Sequence, residues 1–267
     1  MEAIRPEVIG LVAMGIPISL VMLVLIWRGL GQVRDLAIAI VRMVVQLLLL
    51  GLVLEWVFST DTPWVVLGVA AAMLLAASQA VGARQGRTTP GVKAEALFSI
   101  ACGVTLVMAV ALKLGIGVEP WYRAEVVIPL LGMILGNSVN GVSLAADRLE
   151  SDLRSDRERV ELRLALGATA HQAAKPAIRA AIKAGLTPAI NGMMIAGLVS
   201  VPGMMAGQVL VGADVSTALR YQILVYLAIS GTSGLSTLIL LRIRLRRYFT
   251  TAEQLRADWL SEVPSVS

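Results

Sequence analysis

Few groups in this chain can do chemistry, and most of them sit in apolar surroundings. Met193, Met194, Met204 and Met205 flank a Pro202-Gly203 pair within one long apolar stretch. Thioethers are soft donors, suited to Cu(I) more than to hard ions, and on that ground Met204 and Met205 are candidate metal ligands. They also read as ordinary flexible fillers of a core. The amides Gln46, Asn137, Asn140 and Asn191 lie in apolar runs too. Polar groups at membrane depth are costly, so each needs a partner or a hydrated lumen. Arg42, one turn before Gln46, either sets a charge barrier in a pathway or snorkels to the nearer face. Pro202 removes a backbone donor and interrupts its helix, and broken helices frame substrate sites in transporters. Arg42, Gln46, Asn137, Asn140, Asn191 and Pro202 are therefore the candidate pathway residues.

Catalysis finds little support in the same inventory. The one histidine, His171, stands in a charged segment, and the one cysteine, Cys102, reads as a buried structural thiol that rules out an internal disulfide. Neither an activated nucleophile nor a cluster of carboxylates and histidines is evident, so no catalytic residue is assigned and the chain is not read as an enzyme. It also lacks a G-x-x-x-x-G-K-[ST] string. It has no cofactor of its own, and ATP, if used, is bound by a partner subunit.

The elements that hold these residues follow from composition. Of 267 residues, 57% are hydrophobic and 15% charged, and the mean hydropathy is +0.79, well above a soluble domain. Apolar blocks run approximately over residues 8–27, 36–58, 64–81, 94–115, 126–146, 188–211 and 219–243. Each approaches the roughly 20 residues needed to cross hydrocarbon. Backbone groups in lipid must be satisfied internally, which makes the spans helices. The expectation is an all-α, polytopic membrane protein with about seven spans, forming a single domain over 1–267 with a short polar tail at 248–267. Basic residues place the termini. Arg28, Arg34, Arg84, Arg87, Lys93 and Arg242 to Arg247 mark one side, which implies an outside N-terminus and a cytoplasmic C-terminus; the membrane is expected to be the plasma (inner) membrane. The net charge of +5 comes largely from these flanks, which touch lipid headgroups and are no nucleic-acid surface. Glu2, Arg5 and Glu7 do not make a cleavable signal.

One segment breaks the apolar pattern. From Asp147 to Lys183 charges are dense, and they flank a stripe of Leu149, Leu153, Val160 and Leu164 at helical spacing. The stripe predicts a helix to about Leu166. Gly167 ends it, and Thr169 with Gln172 three residues on reads as a capping box opening an alanine-rich second helix. Pro176 is expected to kink that helix, Gly185 to break it, and Thr187-Pro188 to start the sixth span. The result is a helical elbow over about 147–187, which is either a solvated loop or an element that docks on a partner.

Here the chain resembles known families. Glu161-Leu-Arg-Leu-Ala-Leu-Gly167-Ala168-Thr169 is similar to the loop of ABC-transporter permeases, in which a glutamate precedes a glycine by six residues; Leu162 and Arg163 stand where that pattern has alanines. Further strings resemble the bacterial Fet-type iron-export permeases, to which plant aluminium-sensitivity permeases are related. They are Arg42-Met-Val-Val-Gln46, Ile128-Pro-Leu-Leu-Gly-Met-Ile-Leu-Gly-Asn137, Gly197-Leu-Val-Ser-Val-Pro-Gly-Met-Met-Ala-Gly207 and Arg220-Tyr-Gln222. The resemblance implies a homodimeric permease that exports metal, powered by a separate ABC ATPase subunit docked at Glu161, Gly167, Ala168 and Thr169. Alternatives are an ABC importer or exporter of a small organic solute, and a passive channel or membrane sensor. No carboxylate lies deep in a span, so a carried metal meets amides, carbonyls and thioethers or travels chelated.

Overall fold

A computed structural model of the chain describes residues 10, 13–29, 31–60, 62–84 and 91–256. Glu2, Arg5, Glu7, Asp61, Arg87 and the tail beyond Arg256 lie outside the described residues. Those described are helical almost throughout, with only two isolated bridge pairs, Ala196 with Ser200 and Phe249 with Leu255. The chain is an all-α polytopic membrane protein. Its backbone sorts into two compact units, Met1–Asp61 and Thr62–Ser267.

The first unit holds α1 (Gly15–Trp27) and α2 (Val33–Thr60), joined by a turn at Gly29, whose φ of +65° suits glycine. The 28 residues of α2 reach about 40 Å at 1.5 Å each, enough to cross a bilayer.

The second unit holds α3 (Pro63–Arg84), α4 (Val92–Val110), α5 (Ala124–Ser155), α6 (Arg157–Ala165), α7 (Ala170–Ala173), α8 (Lys175–Ile195), α9 (Gly203–Leu210) and α10 (Val215–Tyr248). A π-helical turn, Ala111–Ile116, extends α4. With α2, the helices long and apolar enough to cross a membrane are α3, α4 with its π turn, α5 and α10. At the centre stands α5, packed against α3, α4, α8 and α10. Small residues make these approaches possible. A Cβ on Gly141 of α5 would lie 2.7 Å from the Gly185 carbonyl oxygen of α8, and one on Gly185 would lie 2.9 Å from the Gly141 oxygen.

Several boundaries differ from the sequence expectation. Gly185 does not break a helix: α8 runs through it from Lys175 to Ile195, because the Gly141 crossing needs a residue without a side chain there. Thr187 is therefore no cap, and its hydroxyl donates to the Lys183 carbonyl oxygen at 2.6 Å. Pro176 opens α8 rather than kinking it, since proline suits the first helical turn. The block at 188–211 is not one span. It comprises the end of α8, an irregular stretch from Ala196 to Pro202 and the short α9, with Gly197 at φ +79° inside the break. Cys102 is exposed on the apolar α4, not buried.

Candidate functional site

Three places collect the groups that matter: the elbow, the ionic root beneath it and a cavity beside the broken helix. The elbow is folded rather than solvated. Leu149 and Leu153 of α5 and Val160 of α6 are buried with Ala173, Ala177 and Ile178 and with Leu241 and Tyr248 of α10. This is the predicted stripe, with Leu164 packed at its edge. Gly167 turns the chain at φ +88° with open space around it. The Thr169 capping box forms. Its hydroxyl accepts from the Gln172 backbone N–H at 3.3 Å, and the Gln172 side chain accepts from the Thr169 N–H at 3.0 Å. Arg163 clamps the turn by donating to the Ala173 carbonyl oxygen at 3.0 Å. From beyond α10, Glu253 accepts a hydrogen bond from the Ala170 N–H, so the C-terminal segment ties down the second arm.

What the elbow leaves outward is its tip. Leu162 and Leu166 are 61% and 79% exposed. Glu161 beside them holds Arg157 at 2.7 Å, with both side chains nearly half-exposed. Ala168 is half-buried, and Thr169 is exposed. A rigid turn thus presents two leucines and a charge pair.

Beneath the elbow lies an ionic cluster that the sequence did not reveal. Arg244 of α10 is buried, and its Nε contacts Glu95 of α4 at 3.2 Å. Its Nη1 reaches Glu150 of α5 at 3.5 Å and the Tyr248 hydroxyl oxygen at 3.2 Å. Tyr248 donates in turn to Glu150 at 3.2 Å, and Arg247 meets the other Glu95 oxygen at 2.8 Å. Three spans are thereby pinned to one another where the elbow begins. Buried charges are tolerated only when paired in this way.

The cavity has a volume of about 340 Å³ and is walled by α5, α8, α9 and α10. Asn137 and Met133 come from α5, Pro188 and Gly192 from α8, Pro202 and Met204 from the break and α9, and Gln222 and Tyr226 from α10. Pro202 does interrupt the helix, and its extended backbone starts α9. Asn137 donates from Nδ2 to the Met133 carbonyl oxygen at 2.8 Å. Gln222 is 8% exposed, and its Oε1 has no hydrogen-bond partner among the described residues.

The sequence candidates divide around this cavity. Asn137, Pro202 and Met204 line it. Met205 is half-buried and does not line it, whereas Met133 does. Asn140 points elsewhere and accepts from Arg84 at 2.7 Å. Asn191 is exposed on α8, and Met193 accepts from the Ser230 hydroxyl at 3.2 Å. Arg42 and Gln46 belong to the first unit, a turn apart on α2. Gln222 and Tyr226 were missed, although Gln222 is a polar residue inside an apolar helix and carried the same signal as the asparagines. His171 is exposed on α7. Among the described residues no three His, Cys, Asp or Glu side chains come together. A larger cavity of about 550 Å³ between α4 and α10 is apolar except for Arg220.

Comparison with known proteins places the chain. The model of the family described as "Uncharacterised protein family (UPF0014)" matches residues 8–249. The UPF0014 membrane protein slr1647 of Synechocystis sp. is 42% identical over 234 residues, covering 86% of this chain and 88% of that one. The "Probable iron export permease protein FetB" of Escherichia coli (strain K12) is 32% identical over 83% of this chain and 84% of its own. "Protein ALUMINUM SENSITIVE 3" of Arabidopsis thaliana is 27% identical over 88% of this chain and 84% of its own. No solved structure matches. With a family model spanning nearly its whole length and such relatives on either side, this chain belongs to the UPF0014 family of membrane proteins.

Proposed function

We propose that this chain is the membrane-spanning permease subunit of an ABC transporter. A separate subunit binds and hydrolyses ATP, two copies of the permease form the pathway, and the assembly exports metal, iron foremost, across the plasma (inner) membrane. The observation that carries this reading is the elbow. A solvated loop needs neither a buried core nor a capping box nor a side-chain clamp on its turn, and this one has all three. Its tip nevertheless exposes Leu162 and Leu166 to water, as a docking knob must.

The coupling logic follows from rigidity. Leu149 and Leu153 continue from α5 directly into the elbow core, and Arg244 ties α5 to α4 and α10 just below. A push on the tip therefore tilts three spans together instead of bending a loop. Glu161, Gly167, Ala168 and Thr169 form the contact, with glycine supplying the turn and threonine the cap. The likeness to the Escherichia coli protein, a probable iron export permease, supports metal as cargo and outward as direction.

Purification of the intact permease in detergent, with identification of co-purifying proteins, tests the assignment. An ATPase carrying a P-loop is expected at stoichiometric amount. A permease that moves cargo with no such subunit contradicts it.

A further inference from the structure

Past α10 the chain turns back on itself. The Thr250 N–H donates to the Gln254 carbonyl oxygen at 2.8 Å, and the Gln254 N–H donates to the Thr250 hydroxyl oxygen at 3.1 Å. The Arg256 N–H returns to the Tyr248 carbonyl oxygen at 2.8 Å. Phe249 and Leu255 thereby stand opposite one another as a bridge pair. Phe249 is buried in the elbow core, and half-buried Leu255 packs against it. Residues 249–256 form a hook, closed by its own backbone and rooted through Tyr248 in the Arg244 cluster.

Glu253 lies inside this turn at φ +58°, the one non-glycine residue with positive φ among the described residues. A Cβ in that region crowds the following carbonyl oxygen, so glycine is the usual occupant. Another residue persists there when the surrounding structure holds it, and such outliers gather at functional places. What holds Glu253 is its side chain, whose carboxylate accepts from the Ala170 N–H. That donor opens α7, directly after the Gly167-Ala168-Thr169 turn. Thr169 satisfies the Gln172 N–H of the same helix start. One cap of α7 is therefore local, and the other is supplied from the far end of α10.

The elbow accordingly has two roots. Its first arm continues α5 through Leu149, Leu153 and Val160. Its second arm is held to α10 through the hook, and α10 runs on to Gln222 and Tyr226 in the cavity wall. We infer that Glu253 is a positioning residue for coupling: its carboxylate fixes the docking turn to α10, so that displacement of the tip reaches α10 directly and not through α5 alone. The inference rests on the transport reading above and adds the second route by which the tip drives the spans.

Two variants separate the carboxylate from the backbone. Glu253→Gly suits the positive φ and removes the acceptor, whereas Glu253→Gln keeps an acceptor oxygen at the same reach. Hydrogen–deuterium exchange on the full-length permease alone, in detergent, reads the tether. Exchange over residues 166–173 is expected to rise tenfold or more in Glu253→Gly and to stay within twofold in Glu253→Gln. Proteoliposomes holding the permease with its co-purified ATPase, and Fe(II) as the probe, read the coupling. Fe(II) exported per ATP hydrolysed is expected to fall at least threefold in Glu253→Gly, with the ATPase retained and Tm unchanged, and to be normal in Glu253→Gln. Unchanged exchange in Glu253→Gly overturns the inference. So does a lowered Tm with an intact Fe(II)-to-ATP ratio, which is what a merely stabilising hook gives. An unmodified complex that exports no Fe(II) counts against the transport reading, whereas the exchange experiment needs no ATPase and decides by itself whether Glu253 holds the turn.

Discussion

Arg244 sits where almost no water reaches it, between a glutamate from α4 and another from α5. Removing one partner of such a cluster strands the other charge, at a cost of about 3–5 kcal/mol. Arg244→Met is therefore expected to lower the Tm of the detergent-solubilised protein by roughly 10 °C, taking roughly 2–4 °C per kcal/mol. The exposed Arg157–Glu161 pair behaves differently. Surface pairs contribute under about 1 kcal/mol, so Glu161→Ala is expected to leave Tm within a few degrees while impairing coupled ATP hydrolysis. If Glu161→Ala instead unfolds the protein, its role is structural. The Arg244 cluster was illegible in the sequence for a plain reason. Glu95 and Arg244 are 149 positions apart, and hydropathy drew the last span only to Ile243, one residue short of the buried arginine. Asn137 and Met204 were legible because polar and sulfur-bearing groups stand out in an apolar run. Gln222 stood out equally and was passed over.

At the scale of elements, glycines decide most of the geometry. Gly141 and Gly185 let α5 and α8 cross with backbone against side-chain-free backbone. Alanine at either site must push the helices apart, so Gly141→Ala and Gly185→Ala are each expected to destabilise by about 1–3 kcal/mol. Gly136, one turn before Asn140 on the same helix, has nothing within reach. Gly136→Ala is expected to be neutral or to stabilise by up to about 1 kcal/mol through helix propensity. Thermal scans of the three variants check this ordering, and a costly Gly136→Ala would place a neighbour on that face. In the elbow, Gly167→Ala forces a side chain into the left-handed region at φ +88° and is expected to cost about 1–2 kcal/mol. Thr169→Ala removes a cap worth about 1 kcal/mol. Sequence showed this elbow well, because apolar spacing, a glycine and a capping box are all local signals. It misjudged Gly185, because a glycine that breaks a helix and one that admits a neighbouring helix look the same until the neighbour is known. The broken sixth span was half-legible: Pro202 announced the interruption, but Gly197 at the other end of it did not.

In the whole molecule, a charged, folded elbow and a neutral cavity share helices that are pinned to one another at one end. The elbow core continues α5, and the cavity wall includes the same α5 together with α8 and α10. Under the proposed function, these shared helices are what carries movement from one place to the other. The claim on which this depends is that the elbow tip is where a separate ATPase grips. The most direct measurement is ATP hydrolysis and divalent-cation export in proteoliposomes holding the permease with its co-purified ATPase, comparing the unmodified chain with Leu162→Asp/Leu166→Asp. The account predicts cation-dependent hydrolysis and export for the former. For the latter it predicts loss of both, with the ATPase no longer retained and the permease's Tm unchanged. Full export by the tip variant, or by the permease reconstituted without any ATPase, would contradict it.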